Sequence, residues 1–329
     1  MTVIEPFPVQ PAYTITATAE ATRWLIDGLW GYDAVGILGG EPKCCKSICA
    51  LSMAVAVASG RSCLGGHRVS RMGTVLLFAA EDAPATVRDR LALLSAGLGV
   101  ALSELPIQII TTPTLRLDSD TDRQRLALTV AEYRPVLLIL DPFVRLHRVD
   151  ENVAGDVAPI LDGLRQLQRA HGCAILVVHH ARKGASHIRA GQALRGSSEF
   201  HAWGDSNLFL RRQQDVLTLD IEHRAASAPD PIRLTLQASE RHLILQEESK
   251  AADDRDDPED NPEARLVSLL TAASGSLTRR EIRTALCMRA ATIGVLLDQL
   301  CERGQLSRDA RGYRLAQAPS TPVGASCSG

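Results

Sequence analysis

The clearest chemistry in the chain lies in one short turn, Gly40-Glu41-Pro42-Lys43-Cys44-Cys45-Lys46-Ser47. Its spacing follows the phosphate-binding pattern G-x-x-x-x-G-K-[ST], except that Cys45 stands where the second glycine belongs. An apolar run, Val35 to Leu38, leads into the turn, and Lys46-Ser47 opens a run of small residues with helical character. Successive backbone N–H groups at the positive end of a helix form a concave cradle for an anion. Gly40, Glu41, Lys43, Cys44, Cys45, Lys46, Ser47 and Ile48 are therefore the candidate nucleotide cradle. In that cradle Lys46 reaches the terminal phosphates and the Ser47 hydroxyl ligates magnesium. Cysteine carries a Cβ into a backbone conformation that glycine adopts at no steric cost. Nucleotide binding is expected to persist at reduced strength, and thiols beside Lys46 at a helix start are expected to be reactive.

Three further groups sit where apolar runs stop. Pro135 to Asp141 (PVLLILD) ends in an acid, as a Walker B strand does when its aspartate holds magnesium. A buried strand that merely ends in a helix-capping aspartate would look the same. Gly73 to Ala80 ends at Glu81-Asp82, where a carboxylate can orient and deprotonate an attacking water. Asp82 also suits the cap of a helix opening at Pro84. Cys173 to His180 (CAILVVHH) ends in two histidines, and either His179 or His180 can hydrogen-bond a terminal phosphate or its water.

These groups need a scaffold that brings strand ends together. Near-continuous apolar strands at 35–38, 73–80, 107–110, 135–141 and 173–180 alternate with helical patterns at 47–60, 84–94, 118–133 and 157–171. That alternation predicts a parallel sheet covered on both faces, with ligands bound at the carboxyl ends of its strands. Ala19 to Trp30 is expected to be a further helix, because Trp24, Leu25 and Leu29 fall on one face. Residues 181–198 are rich in Gly, Ser and basic side chains and read as a loop. Short alternating segments at 206–210, 216–221, 232–236 and 242–246 read as antiparallel strands.

The ordered series GGEPKCCKS, LLFAAED, LLILDP, VVHHARKG and RGSS resembles the RecA-like hexameric ATPases. Within them it is most similar to the RepA-type plasmid replicative helicases and related ATPases of plasmids and mobile elements. The resemblance spans roughly residues 20–245. It implies an α/β, RecA-like P-loop core with a mostly parallel central sheet and added antiparallel strands, assembled as a homo-oligomeric, hexameric ring. It further implies ATP and Mg2+ as cofactors, bound between subunits. Lys46 and Ser47 then hold phosphate and metal, Asp141 is the Walker B acid, Glu81 the catalytic base and His180 the sensor. Arg195 in RGSS looks like the arginine finger given to a neighbouring subunit, although a solvated loop arginine would have the same spacing.

The expected division is an arm at 1–18, the ATPase core at 19–246, an acidic linker at 247–262, a second domain at 263–316 and a tail at 317–329. The second domain reads helix, helix, helix, hairpin, and looks like a winged helix-turn-helix with Ala290 to Arg303 as recognition helix. Its arginines at 279, 280, 283, 289, 308, 311 and 314 outnumber nearby acids and suit phosphate contacts. DNA is the expected partner: single strands along Arg182 and Lys183 of the basic loop, duplex at Arg289, Arg308 and Arg311. A formal net charge of -2 confines any basic surface to such local patches. No apolar stretch nears the ~20 residues of a membrane span. With no charged n-region and no metal-type cysteine ladder among its eight cysteines, the chain reads as a cytoplasmic protein with reduced thiols. A DNA-binding regulator using its ATPase core as a switch is the second reading, and a small-molecule P-loop kinase the third.

Overall fold

A computed structural model of the chain describes residues 7–15, 23–180, 199–213, 216–227, 229–248, 262–273, 275–286, 293–294, 296–297, 300–301, 303, 305–309 and 311–315. It divides into two compact units, Met1–Glu248 and Ser249–Gly329. In the arm, residues 7–15 hold one exposed 3-10 turn, Ala12–Thr14, with nothing buried.

The first unit opens with a hairpin where a helix was expected. Strands β1 (Trp24–Ile26) and β2 (Trp30–Gly31) pair antiparallel across a turn at Asp27 and Gly28. Gly28 takes φ +71, a left-handed conformation that glycine supplies freely and that ends any helix there. Leu25, Ile26, Leu29 and Trp30 are all fully buried; one helical face would bury the same four, so it is the reversal at Asp27 and Gly28 that makes the element a hairpin. The remainder of the expected helix, 19–22, lies outside the described residues.

Beyond the hairpin the chain alternates strands and helices: β3 (Val35–Gly40), α1 (Lys46–Ser59), β4 (Val75–Ala79), α2 (Pro84–Gly97), β5 (Ile107–Ile109), α3 (Asp120–Tyr133), β6 (Leu137–Asp141), α4 (Ala154–His171) and β7 (Ala174–His180). A short helix, α5 (Glu199–Trp203), precedes four strands: β8 (Ser206–Gln213), β9 (Val216–His223), β10 (Ile232–Ala238) and β11 (Leu243–Glu247). They form one nine-stranded sheet in the order β11-β10-β9-β8-β3-β7-β6-β4-β5. Pairing is parallel from β8 through β5 and antiparallel from β8 out to β11.

Strand alternation sorts the apolar side chains to two faces. Leu38, Val75, Leu77, Leu137, Ile139, Leu176 and Val178 bury against α1 and α2. Val35, Ile37, Leu76, Leu138, Leu140, Ile175 and Val177 bury in the cluster that includes α4 and Phe200 of α5. Both faces being covered is why the strands read as unbroken apolar runs rather than alternating ones.

The join between β3 and β8 is unusually close. A Cβ on Gly36 would lie 1.7 Å from the Ser206 carbonyl oxygen. Side chains finish the pairing there: Asp205 Oδ2 accepts from Val35 N at 3.3 Å and Asn207 Oδ1 from Ile37 N at 3.0 Å. Arg165 of α4 pairs with Asp205 and so ties this entry to the helical layer.

The second unit, described by itself, contains α6 (Pro262–Ala272), α7 (Arg279–Leu286) and the hairpin β12 (Leu306–Asp309) with β13 (Gly312–Leu315). Leu266, Leu270, Ile282, Leu286, Ile293, Leu297, Leu300, Leu306 and Tyr313 form its own core. Helix α7 begins with a capping box: Glu281 N donates to Thr278 Oγ1 at 3.3 Å and Thr278 N to Glu281 Oε2 at 2.8 Å. β11 extends into the first residue read as linker, and residues 249–261 and 316–329 lie outside the described residues.

The close join makes a direct prediction. Gly36→Ala should destabilise the first unit by about 2 kcal/mol or more, because backbone must move to admit the methyl. Gly155→Ala in α4, where nothing lies within 4 Å of the added Cβ, should be neutral or stabilising by up to ~1 kcal/mol. Urea unfolding of the two variants checks both.

Candidate functional site

Parallel register sets the site. Gly40, the last residue of β3, lies opposite His180, the last residue of β7, and Ala79 of β4 lies opposite Asp141 of β6. Strand β7 sits between β3 and β6, so the His180 exit stands between the turn after Gly40 and the Asp141 exit. Glu81 and Asp82 leave the same edge beside Asp141, where Ala80 N donates to the Asp141 carbonyl at 2.7 Å.

The turn folds as a phosphate cradle does. Gly40 has φ +156, and a Cβ on it would come within 2.4 Å of the Leu210 carbonyl oxygen. Lys43 and Cys45 both adopt positive φ, +67 and +66, and Cys45 is the residue that precedes helix α1. Cys45 thus takes the left-handed conformation for which glycine is the usual residue, at a cost of roughly 1–2 kcal/mol. Lys43 is exposed, Glu41, Cys45, Ser47 and Ile48 are half-buried, and Cys44 is buried beneath the turn.

Lys46 is 6% exposed, an unusual burial for lysine. Its Nζ donates to the Glu41 carbonyl at 2.8 Å and lies 3.9 Å from Cys44 Sγ. Burial pushes the ammonium below its ordinary range, while Cys44, Asp141 and Glu81 partly restore it. Burial likewise raises the Cys44 thiol, against the pull of Lys46. For Cys44, burial thus works against the reactivity expected of thiols beside Lys46.

Asp141 is pushed up to about 6, first by burial, with Asp82 and Glu81 adding to it and the Ser47 hydrogen bond and Lys46 opposing. A hydroxyl and a carboxylate in contact are hard oxygen donors of the kind magnesium takes beside phosphate oxygens and water. The two residues fit the cation, and a divalent charge there would hold Asp141 ionised.

The two histidines part company. His180 shares the face of Leu176 and Val178, on which α1 packs, whereas His179 shares the face of Ile175 and Val177. His179 is buried, stacked on Phe200 at 4.4 Å and edge-on to Phe143 at 5.9 Å. Alternation therefore puts His180, not His179, on the face that α1 covers. The adjacent acids part too. Asp82 pairs with Arg90 of α2 and does not cap that helix, whose N-cap is Ala83. Glu81 Oε1 accepts from Arg145 Nε at 2.9 Å. Arg145 did not stand out in the sequence, since an ion pair made 64 residues apart leaves no local pattern.

Arg182, Lys183, Arg195 and Arg289 lie outside the described residues. Arg308 is on β12 with its guanidinium 5.6 Å from the Tyr313 ring centre, and Arg311 is in the turn, its N–H held by Asp309. Among the described residues no helix is long and apolar enough to cross a membrane.

Residues 5–186, more than half of the chain, match the sequence family described as AAA domain. The structure is similar to the ATPase domain of G40P, at TM-score 0.54 and 13% identity over 69% of this chain and 93% of that one. It is also similar to a DnaB-like replicative helicase described with its interactions with primase, at TM-score 0.50 and 14% identity over 65% of this chain and 59% of that one. At these identities the likeness concerns the fold, which is that of a RecA-like ATPase domain with a mostly parallel sheet extended by antiparallel strands.

Two outcomes follow from the edge geometry. Cys45→Gly should leave ATP affinity equal or tighter and raise thermal stability slightly, because the left-handed strain is relieved while chain entropy takes part of the gain back; isothermal titration and melting curves test this. For Asp141, burial pushes the folded carboxyl up to about 6 from an ordinary 3.8. Its protonation stabilises the nucleotide-free fold below the lower value, and that contribution is lost as pH rises through the upper one. Asp141→Asn without nucleotide or magnesium should thus melt above the parent at pH 7.5, with the gap closing toward pH 4.

Proposed function

The chain belongs to the AAA domain family, and we propose that it hydrolyses ATP with magnesium and couples that hydrolysis to movement on DNA. The observation that carries this reading is the meeting of Lys46, Ser47, Asp141, Glu81 and His180 at one carboxyl edge of four parallel strands. Each strand contributes a different kind of group, and their sum is what phosphoryl transfer to water requires: anion cradle, cation ligands, base and phosphate contact.

Lys46 leaves the Glu41 carbonyl to meet the terminal phosphates, exchanging one acceptor for a charged one. Ser47 and Asp141 hold magnesium, which neutralises charge on the phosphate oxygens. Glu81 orients a water whose oxygen bonds to the γ-phosphorus as the bond to the ADP oxygen breaks. The water's proton passes to the Glu81 carboxylate and then to solvent. His180 hydrogen-bonds the terminal phosphate and reports its departure along β7. Arg195 of a neighbouring subunit completes the site in a hexameric ring, a finger of the kind worth ~10³–10⁵ in rate.

The fold shared with G40P and with a DnaB-like replicative helicase supports a motor in replication, and the order of motifs supports a RepA-type role on a plasmid or mobile element. We assign single-stranded DNA to the basic stretch carrying Arg182 and Lys183. Duplex DNA is assigned to a winged helix in the second unit, with Arg289, Arg308 and Arg311 on phosphates. The order of α6, α7, further helical residues and the β12–β13 hairpin is compatible with that module.

Purified protein should turn over ATP with magnesium, be strongly stimulated by single-stranded DNA, and displace a paired strand. Lys46→Ala should abolish turnover. Arg195→Ala subunits should regain activity when mixed with Lys46→Ala subunits, as a shared site demands. Slow turnover indifferent to DNA, with tight duplex binding, would replace the motor by a regulatory switch; phosphate appearing on a metabolite would replace both by a kinase.

A further inference from the structure

Two acids leave β4 side by side, and each meets a different arginine. Asp82 is held from within its own segment, by Arg90 eight residues on in α2. Glu81 is held from another strand's exit. Arg145 Nε donates to Glu81 Oε1 at 2.9 Å, and Arg145 closes the 3-10 turn Phe143–Arg145 that directly follows Asp141 and Pro142.

That turn is a stiff mount. Phe143 and Leu146 are fully buried, and Leu146 N donates to the Phe143 carbonyl at 2.8 Å. Leu117 N donates to the Leu146 carbonyl at 2.6 Å. Arg116 Nη1 donates to the carbonyls of Arg145 at 2.9 Å and His147 at 3.0 Å. The Phe143 ring lies 4.4 Å from the His147 ring and 5.2 Å from Phe200. The Arg145 backbone is thus fixed from three sides while its guanidinium reaches outward.

We propose that Arg145 is the positioning residue for the Glu81 carboxylate: it fixes one oxygen and leaves the other to take the proton of the attacking water. This rests on the reading of Glu81 as the base. An exposed glutamate samples several rotamers, and only a fraction of them face a water at the γ-phosphate. A contact to Oε1 through a single Nε–H removes that freedom and keeps Oε2 for chemistry. The Arg145 and Glu81 side chains are 62% and 45% exposed, so the ion pair adds little to folding. Its effect belongs in the rate of the chemical step, where misplacement of a reacting group is costly.

The test uses the full chain, saturating ATP and magnesium, with single-stranded DNA. Arg145→Ala should lower kcat by about tenfold or more with KM for ATP within about twofold. Arg145→Lys should recover part of that loss, since a point charge can still meet Oε1. In a Glu81→Gln background, Arg145→Ala should cause no additional loss, because the carboxylate it positions is gone. Unchanged or raised kcat in Arg145→Ala, with Glu81→Gln inactive, overturns the inference and leaves the base assignment standing. A full additional loss in the double variant also overturns it, assigning Arg145 a role outside Glu81. Normal turnover in Glu81→Gln overturns the base assignment and this inference with it.

Discussion

Everything chemical in this molecule depends on parallel register. Gly40 opposite His180 and Ala79 opposite Asp141 are backbone facts, set by ladders whose side chains are buried on both faces. A slip of one residue in β7 would turn His180 toward the α4 layer and His179 toward α1, exchanging a stacked core imidazole for the one on the α1 face. The register is protected by burial: Leu176 and Val178 face one core and Ile175 and Val177 the other, with none of them exposed beyond 1%. Gly40, Asp141 and His180 are therefore held as firmly as the sheet, and Lys46, Ser47 and Glu81 follow on short exits from it.

The phosphate turn shows where that rigidity costs something. Cys45 holds a left-handed backbone without being glycine, and Lys46 is buried with a carbonyl and a thiol as its nearest partners. Both features are unfavourable in isolation: a strained φ, and an ammonium taken out of water. They are tolerated because the segment is anchored at both ends, by β3 within a nine-stranded sheet and by α1, whose residues 49–58 are all buried. A weakly satisfied cation and a protonation-prone Asp141 are also what a site awaiting a charged ligand should look like, since phosphate and magnesium relieve both.

Much of this was legible in the chain alone, for physical reasons. Strands buried on both faces read as unbroken apolar runs, and their ends carried the acids and histidines, so edge and candidate site emerged together. What failed did so where local pattern and tertiary context diverge. Trp24, Leu25 and Leu29 have helical spacing, yet the Asp27-Gly28 pair between them is a turn signal, and the chain reverses there into an antiparallel hairpin that gives Leu25, Ile26, Leu29 and Trp30 to the core. Helix α5 is only five residues long, too short for a period to show. The bare pattern left His179 and His180 open and the resemblance named His180; strand alternation puts that residue on the face that α1 covers.

The partition of Glu81 from Asp82 shows most clearly what sequence cannot carry. Two consecutive carboxylates have nearly equal claims to be the base, and Asp82 even has the better residue type for a helix cap. The structure separates them by their counter-ions. Arg90 ties Asp82 to α2, whereas Arg145 ties Glu81 to the segment that issues from Asp141. Glu81 is thus tied to the strand that ends in Asp141, and Asp82 to a flanking helix. The contact of Glu81 with Arg145 joins two stretches of chain 64 residues apart, and only folding makes it visible.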